Sequence, residues 1–414
     1  MNVMVQKFGG SSVADIERIR NVARRVADSK DQYPEGVVVV VSAMGKTTDK
    51  LVSMAKDISS KPSAREMDML LATGEQVSIA LLSMALQELG YKSISLTGAQ
   101  AGIITENLHT KAKIVNINTE AIQKLLKEDY IVVVAGFQGT TPDHQITTLG
   151  RGGSDTTAVA LAGALDAPVC EIYTDVDGVY TTDPNVVPQA QKLSEISYEE
   201  MLELAQLGAK VLHPRSVECA KKFQTAIHVR SSFTTSEGTL VKAMKDLEIQ
   251  RPVTGVTCDL RQSKVAIREV PDKPGIAAHL FGALAKENIS VDMIIQSVND
   301  DLTNDIAFTV HEEDLNNAIE ITQNVAAELG AGEIVHDLEV AKVSIVGVGM
   351  IGTPGIAAAM FDALASSAIN IQMISTSEIK ISCVVARSQA KQAMQVIHDK
   401  FVIAETQDQT TIVM

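Results

Sequence analysis

The last third of the chain repeats itself, and that repeat restricts the fold more than any other feature. KVAIREVPDKPGIAAHLFGALAKENISVDMII, beginning at Lys264, matches KVSIVGVGMIGTPGIAAAMFDALASSAINIQMI, beginning at Lys342. Pro274 and Gly275 recur as Pro354 and Gly355, an offset of 80 (354 − 274). Each copy reads as strand, tight turn, helix and strand, then continues into another strand (305–310 or 379–385) and another helix (313–329 or 388–401). The pattern is βαββα twice, so two small α+β units are expected. A strand over 253–259 precedes the first copy and is free to complete either small sheet. SFTTSEGTLVKAMKDLEIQRP, residues 232–252, reads as a hinge between these units and the front of the chain.

The front part alternates β-branched runs with helical patterns. Strands are predicted over 3–7, 37–42, 93–96, 130–137, 170–174 and 226–229, and helices over 14–29, 65–89, 119–127, 155–165 and 198–222. Alternation of this kind describes a mostly parallel sheet covered by helices on both faces, with ligands beyond the carboxyl ends of the strands. The whole chain, 414 residues with 45% hydrophobic and 21% charged, has room for two or three domains. We find no run of 18 apolar residues, the length a membrane span needs. MNVMVQKFGG lacks the basic start and long apolar stretch of a signal peptide, so a cytoplasmic location is expected.

Cys170, Cys219, Cys258 and Cys383 are scattered and form no CxxC pair, so they read as free thiols rather than a zinc site or a disulfide scaffold. A net charge of -15 repels nucleic acid and anionic membrane surfaces, and neither is expected as a partner. An acidic chain with anionic substrates must concentrate positive charge locally, so isolated Lys and Arg beside glycines become informative.

VQKFGGSSV, from Val5, is a strand ending in Lys7, followed by Gly9, Gly10 and a helix. Bare glycine backbone, a helix N-terminus and a lysine make an anion site; the alternative is a plain turn with Ser11 or Ser12 as helix N-cap. SAMGKTTD, from Ser42, repeats the arrangement after the next strand. In LLATGEQVS, Glu75 on its own reads as a solvated helical glutamate. TTLGRGGSDTTAVALAGAL, from Thr147, has GxG in Gly150 and Gly152, but Asp155 stands where a dinucleotide fingerprint needs its third glycine, and no strand leads directly in. The Arg151 fork suits a carboxylate, whereas an aspartate near phosphate repels it unless it holds a cation. VCEIYTDVDGVYTTDP, from Val169, is a strand running into acidic turn residues suited to ribose, base or metal. LAQLGAKVLHPRS places Lys210 after Gly208; His213, before a proline, reads as a packed or capping residue and not a base. Together these pieces suit phosphoryl transfer, in which catalysis is mainly positioning and charge neutralisation.

In order and at matching spacing, KFGGSSV, VSAMGKTTD, TGEQVS, GRGGSDTTAVALA, YTDVDGVYTTDP, GAKVLHPRS, DKPGIAA and MISTSEIKIS resemble the monofunctional aspartokinases over nearly the whole chain. Any one of these motifs is weak; the set is specific. The resemblance implies an α/β amino-acid kinase fold over residues 1–245, a mostly parallel sheet sandwiched by helices. Two α+β ACT domains (βαββαβ) follow over 253–340 and 341–414, the first nested in the second. It implies transfer of the γ-phosphoryl of MgATP to the side-chain carboxylate of L-aspartate, the first step toward lysine, threonine and methionine.

Carried onto this sequence, Lys7 and Lys210 neutralise the phosphates and Asp155 holds the lysines. Phe8, Gly9, Gly10, Ser11, Ser42, Gly152, Gly153, Thr174, Asp175, Tyr180 and Asp183 contact ATP. Glu75 pairs with the substrate ammonium and Arg151 with its α-carboxylate, while Thr48 and Ser154 complete the pocket. Magnesium arrives with ATP rather than on protein side chains. The ACT repeats imply feedback by lysine, threonine or both, and a homo-oligomer of at least two chains or a hetero-oligomer with a shorter ACT-only form. Effector contacts fall on Asp272, Lys273, Pro274, Gly275, Ile276, Ala277 and Ala278, on Val291, Asp292, Met293 and Gln296, and on Asn370, Ile371, Ser375, Thr376, Ser377 and Glu378. GMIGTPG and QSVNDDLTND depart from the family's usual turns, which bears on the identity of the effector. A related kinase for glutamate, acetylglutamate or a nucleotide shares the fold, and a non-catalytic amino-acid sensor is the third reading.

Overall fold

The computed structural model describes residues 3–209, 211–247, 251–299 and 302–403. They fall into two units, Met1–Tyr180 with Lys192–Ile249, and Thr181–Gln191 with Gln250–Met414.

In the first unit, the strands are β1 Met4–Phe8, β2 Val37–Val41, β3 Ser93–Leu96, β4 Ile103–Thr105, β5 Ile114–Ile117, β6 Ile131–Ala135, β7 Gln138–Thr140, β8 Ile146–Thr148, β9 Val169–Thr174, β10 Glu195–Ser197, β11 Ala226–Ser231 and β12 Thr239–Lys242. The α-helices are α1 Ile16–Gln32, α2 Thr47–Ile58, α3 Ala64–Leu71, α4 Thr73–Glu88, α5 Glu120–Lys127, α6 Gly153–Ala164, α7 Tyr198–Gln206 and α8 Pro214–Phe223. An eight-stranded sheet runs β10-β12-β11-β9-β1-β2-β6-β3, parallel except where β11 meets β12. The valine runs of β2 and β6 are buried at every position, as strands covered on both faces must be. Ile19, Val22, Ala23 and Val26 of α1 pack with Ile79, Leu82 and Leu86 of α4 against β1 and β2.

Several local expectations need correction. The helix predicted over 65–89 is two, α3 and α4, meeting at Ala72. This stretch, Ala64–Glu88, is long and apolar enough to cross a bilayer by length and composition, but half of its apolar window is buried inside the protein. It also carries the fully shielded Asp68 and Glu75, so it is built as a core element. The helix predicted over 198–222 breaks into α7 and α8, because Gly208 turns at φ 108° and Pro214 occupies the first turn of α8. The hinge is shorter than 232–252: TLVK forms β12 and pairs with β10 and β11. A second sheet, β5-β4-β7-β8, had no strong sequence signal, since its strands have only three or four residues.

In the second unit β13 Gly255–Pro271, β14 Val291–Val298, β15 Thr303–His311, β16 Ile334–Val346, β17 Met373–Thr376 and β18 Lys380–Ala386 form one antiparallel sheet, ordered β14-β15-β13-β16-β18-β17. The helices are α9 Ile276–Lys286, α10 Leu315–Leu329, α11 Ile356–Ser366 and α12 Ala390–His398. The expected two small sheets are fused, because β13 is one 17-residue strand. Its start, Gly255–Asp259, pairs with Val346–Lys342, and its later residues pair with β15. The early strand therefore joins the second copy. Each copy keeps its own core, one around Leu280, Phe308 and Val325 and the other around Met360, Cys383 and Ile397. Val187, from the 181–191 segment, is buried in the latter, and Thr181 Oγ1 lies 2.8 Å from His398 Nε2.

Candidate active site

The glycine motifs sit at the carboxyl ends of β1 and β2, and hydrogen bonds stitch them to each other and to β9. Gly9 N–H donates to Tyr173 O (3.2 Å), Ser42 N–H to Phe8 O (3.1 Å) and Gly45 N–H to Gly10 O (3.0 Å). Gly10 is required by space: a Cβ there would lie 2.9 Å from Ala43 O and 3.1 Å from Gly45 O. The Phe8 and Tyr173 rings stack at 4.7 Å.

Neither Ser11 nor Ser12 caps a helix. Gly10–Val13 is a single 3-10 turn, and α1 begins beyond it with Asp15 as its N-cap, accepting from Arg18 N–H. The expected helix dipole is therefore not aimed from Gly10. The turn is instead pinned by Arg18 and Ser232, which the sequence did not single out, and by Ser12 in a role other than a cap. Arg18 Nη1 donates to Ser11 O (2.5 Å), and the Ser12 and Ser232 hydroxyls are hydrogen-bonded at 2.6 Å.

Lys7, near the end of β1, is 8% exposed, and its Nζ lies 2.6 Å from Asp155 Oδ1. Asp155 stands in the first turn of α6, where the helix dipole favours a negative charge. A pair this shielded is held as a unit, since removing one partner strands the other charge at a cost of about 3–5 kcal/mol. Lys210, expected beside it, lies outside the described residues.

Contrary to expectation, a strand does lead into the arginine: β8 ends at Thr148, two residues before Gly150. Gly150 (φ 76°) and Gly152 (φ 70°) turn the chain, and Gly152 is the N-cap of α6. A Cβ on Gly152 would overlap the His213 ring. His213 is thus a packing group; its Nδ1 accepts Arg215 N–H at the start of α8, and burial lowers its pKa below the ordinary histidine value. Arg151 is exposed and has no hydrogen-bond or ion-pair partner among the described residues. Ser154 is buried, and Gly136 has no room for a Cβ beside it, because that atom would lie 2.7 Å from Ser154 Oγ.

Glu75 is not the solvated helical residue its local sequence describes. It is 2% exposed, Oε1 accepts Ala43 N–H (3.1 Å), and Oε2 is buried without a partner. Burial pushes its pKa up to about 7. A carboxylate kept this dry is poised for an incoming cation. Thr48 is half-buried in the first turn of α2.

Thr174 ends β9 and its hydroxyl donates to Asp175 Oδ1 (3.1 Å), while Tyr180 OH donates to Asp177 Oδ1 (2.9 Å). Asp183 belongs to the segment grouped with the second unit, where its Oδ1 accepts from Asn185 N–H (2.9 Å) and Nδ2 (3.0 Å). Among the described residues no group of three or more His, Cys, Asp or Glu side chains is arranged to hold a metal.

In the second unit, Lys273, Pro274, Gly275 and Ile276 line an open surface cleft of about 420 Å³ together with His279 and Glu328. Asp272, Ala277 and Ala278 are exposed around the same turn. Asp292 is exposed and ion-paired with the buried Lys342, whereas Met293 is buried with Val340, Met373 and Val384. Val291, Ile371 and Ser375 are half-buried; Gln296, Asn370, Thr376, Ser377 and Glu378 are exposed.

Comparison with known proteins accords with this geometry. Residues 2–231 match the amino acid kinase family, and 268–324 and 343–401 match the ACT domain. The chain is 50% identical over 402 residues to an aspartate kinase of Stutzerimonas stutzeri, covering 97% of both. It is 52% identical over 405 residues to the aspartokinase of Geobacillus stearothermophilus, covering 98% of both. Among solved structures, E. coli aspartokinase III in complex with aspartate and ADP is similar at 27% identity and TM-score 0.78, over 96% of this chain and 99% of that one.

Proposed function

Since the chain belongs to the aspartokinase family, an amino acid kinase unit followed by ACT domains, we propose that Lys7 and Asp155 form the centre at which its phosphoryl group is transferred. The reaction moves the γ-phosphoryl of ATP onto the side-chain carboxylate of L-aspartate and gives 4-phospho-L-aspartate and ADP. The observation that carries the assignment is the 2.6 Å Lys7–Asp155 pair set between the glycine turn and the start of α6. The attacking carboxylate is already ionised near neutral pH, so no general base is needed. Catalysis then consists of neutralising charge that moves between the β- and γ-phosphates, and Lys7 supplies an ammonium fixed in direction by Asp155.

At the substrate end, Glu75 receives the ammonium and Arg151 the α-carboxylate, with Thr48 and Ser154 beside them. Thr174, Asp175 and Tyr180 supply the nucleotide side. Magnesium is read as arriving with ATP, on its phosphate oxygens, where it neutralises charge alongside Lys7.

Glu75 makes a test with two opposite signs. Its raised folded pKa means that the ligand-free protein is most stable, as far as this group is concerned, below about 4.5 and loses that contribution as pH rises through about 7. Glu75→Gln therefore stabilises the ligand-free protein at pH 8, by up to about 3 kcal/mol. The same change raises the aspartate KM and removes its fall between pH 6 and 8, as read by thermal melts and initial rates. An unchanged KM profile would remove Glu75 from the ammonium site.

The exposed Pro274–Gly275 turn and its cleft support effector binding by a small amino acid, and E. coli aspartokinase III has also been solved with lysine and aspartate. The outer edges of β14 and β17 pair with nothing among the described residues and carry exposed Ile294 and Ile374, which supports self-association through this sheet. Lysine, threonine or the two in combination are expected to lower turnover of a chain that sediments as a dimer or larger. Monomeric protein indifferent to both would contradict this part of the reading.

A further inference from the structure

Asp68 is 0% exposed, and three neighbours donate to its two carboxylate oxygens. Thr148 Oγ1–H donates to Oδ1 at 2.5 Å, His109 Nδ1 lies 2.7 Å from Oδ2, and Thr110 N–H reaches both oxygens at 3.1 Å. Among the described residues, no lysine or arginine pairs with it. This carboxylate joins three separate parts of the kinase unit: α3, the loop before β5, and β8.

Thr110 shows what the knot achieves. It is β-branched yet has φ 68°, a conformation such residues adopt only when the surroundings impose it. Asp68 holds its N–H, and in that position the Thr110 carbonyl lies under Gly150, where a Cβ would come within 3.0 Å of it. Ala112 N–H donates to Thr148 O (3.0 Å), and Arg215 donates to both Leu149 O and Ala112 O, the latter at 3.0 Å. The turn that ends in Arg151 therefore rests on a platform fixed by Asp68. In the other direction, α3 leads through Ala72, whose carbonyl accepts from Gln138 Nε2 (2.8 Å), into the first turn of α4 and Glu75.

We propose that Asp68 is a positioning residue for substrate recognition: it ties the helices that present Glu75 to the turn that presents Arg151. It thereby sets the spacing between the partners of the substrate's ammonium and α-carboxylate. The inference rests on the reading that Glu75 and Arg151 bind those groups. Asp68 is 0% exposed and so out of reach of a ligand in solvent, and its effect is expected on aspartate affinity.

The test compares Asp68→Asn, Thr148→Val, Thr148→Ser and Arg151→Ala in the full chain, with separate KM values for aspartate and ATP. Asp68→Asn and Thr148→Val are expected to raise the aspartate KM about tenfold to a hundredfold, with the ATP KM and kcat at saturating aspartate close to wild type. Thr148→Ser keeps the hydroxyl and the wild-type KM. Adding Asp68→Asn to Arg151→Ala is expected to raise the KM by no more than about twofold further, because both act on one clamp. Thr148→Val removes one donor only, and decides the matter if Asp68→Asn does not fold. A wild-type aspartate KM in Thr148→Val, a parallel rise in both KM values, or a serine variant as weak as the valine one would overturn the proposal. If Arg151→Ala raises the KM and the Asp68 and Thr148 variants do not, positioning fails while the clamp stands. If Arg151→Ala itself leaves the KM unchanged, the clamp reading fails and the proposal falls with it.

Discussion

Replacing Lys7 with alanine lowers kcat by about a hundredfold to a thousandfold, the loss typical of removing one fixed donor from a charge-stabilising site. The KM values for aspartate and ATP move far less, because the lysine acts most where charge shifts between phosphates during transfer. The same change strands Asp155, whose side chain is only 15% exposed in the ion pair, and so costs about 3 kcal/mol of stability. Thermal melts separate the two effects: Lys7→Ala/Asp155→Asn recovers stability without recovering kcat. A double variant that regained kcat would show that the pair serves folding rather than phosphoryl transfer.

Arg151→Ala has the opposite signature. Its guanidinium is exposed and has no partner among the described residues, so truncation leaves none of them unpaired and the melting temperature is expected to hold. What disappears, on the assignment proposed above, is a charge-assisted, two-pronged contact with the α-carboxylate, worth about 2–3 kcal/mol, which raises the aspartate KM about thirtyfold to about 140-fold. The ATP KM stays near wild type. Equal rises for both substrates would move Arg151 from the substrate carboxylate to the phosphates. Arg151→Lys retains the charge but not the fork and should fall between the two.

Elements whose pattern is local could be read from sequence. The valine runs of β2 and β6 are continuous and apolar because both faces are covered, and the β1 glycine turn announces itself because Gly10 leaves no space for a Cβ. Glu75 was opaque for the opposite reason. Nothing within a few residues of it reveals that Ala43, 32 positions away, donates to one oxygen while the other is sealed from water. Asp155 could be read as the holder of a cation, but the Lys7 partner lies on another strand and only the motif set named it. Asp68, Thr110 and Arg215 gave no signal, since their roles depend on loops brought together by the small β5-β4-β7-β8 sheet. The fusion of the two repeat sheets was hidden by the repeat itself. It draws the eye to matching segments, whereas the joining residues Gly255–Asp259 lie before the first match.

Trapping the acyl phosphate with hydroxylamine tests the central claim most directly, that MgATP phosphorylates L-aspartate at the Lys7–Asp155 centre. Purified full-length protein is expected to give aspartyl hydroxamate with L-aspartate and none with L-glutamate or N-acetylglutamate, and Lys7→Ala should reduce the yield at least about a hundredfold. No hydroxamate from aspartate, an equal yield from glutamate, or an undiminished yield from Lys7→Ala would contradict it.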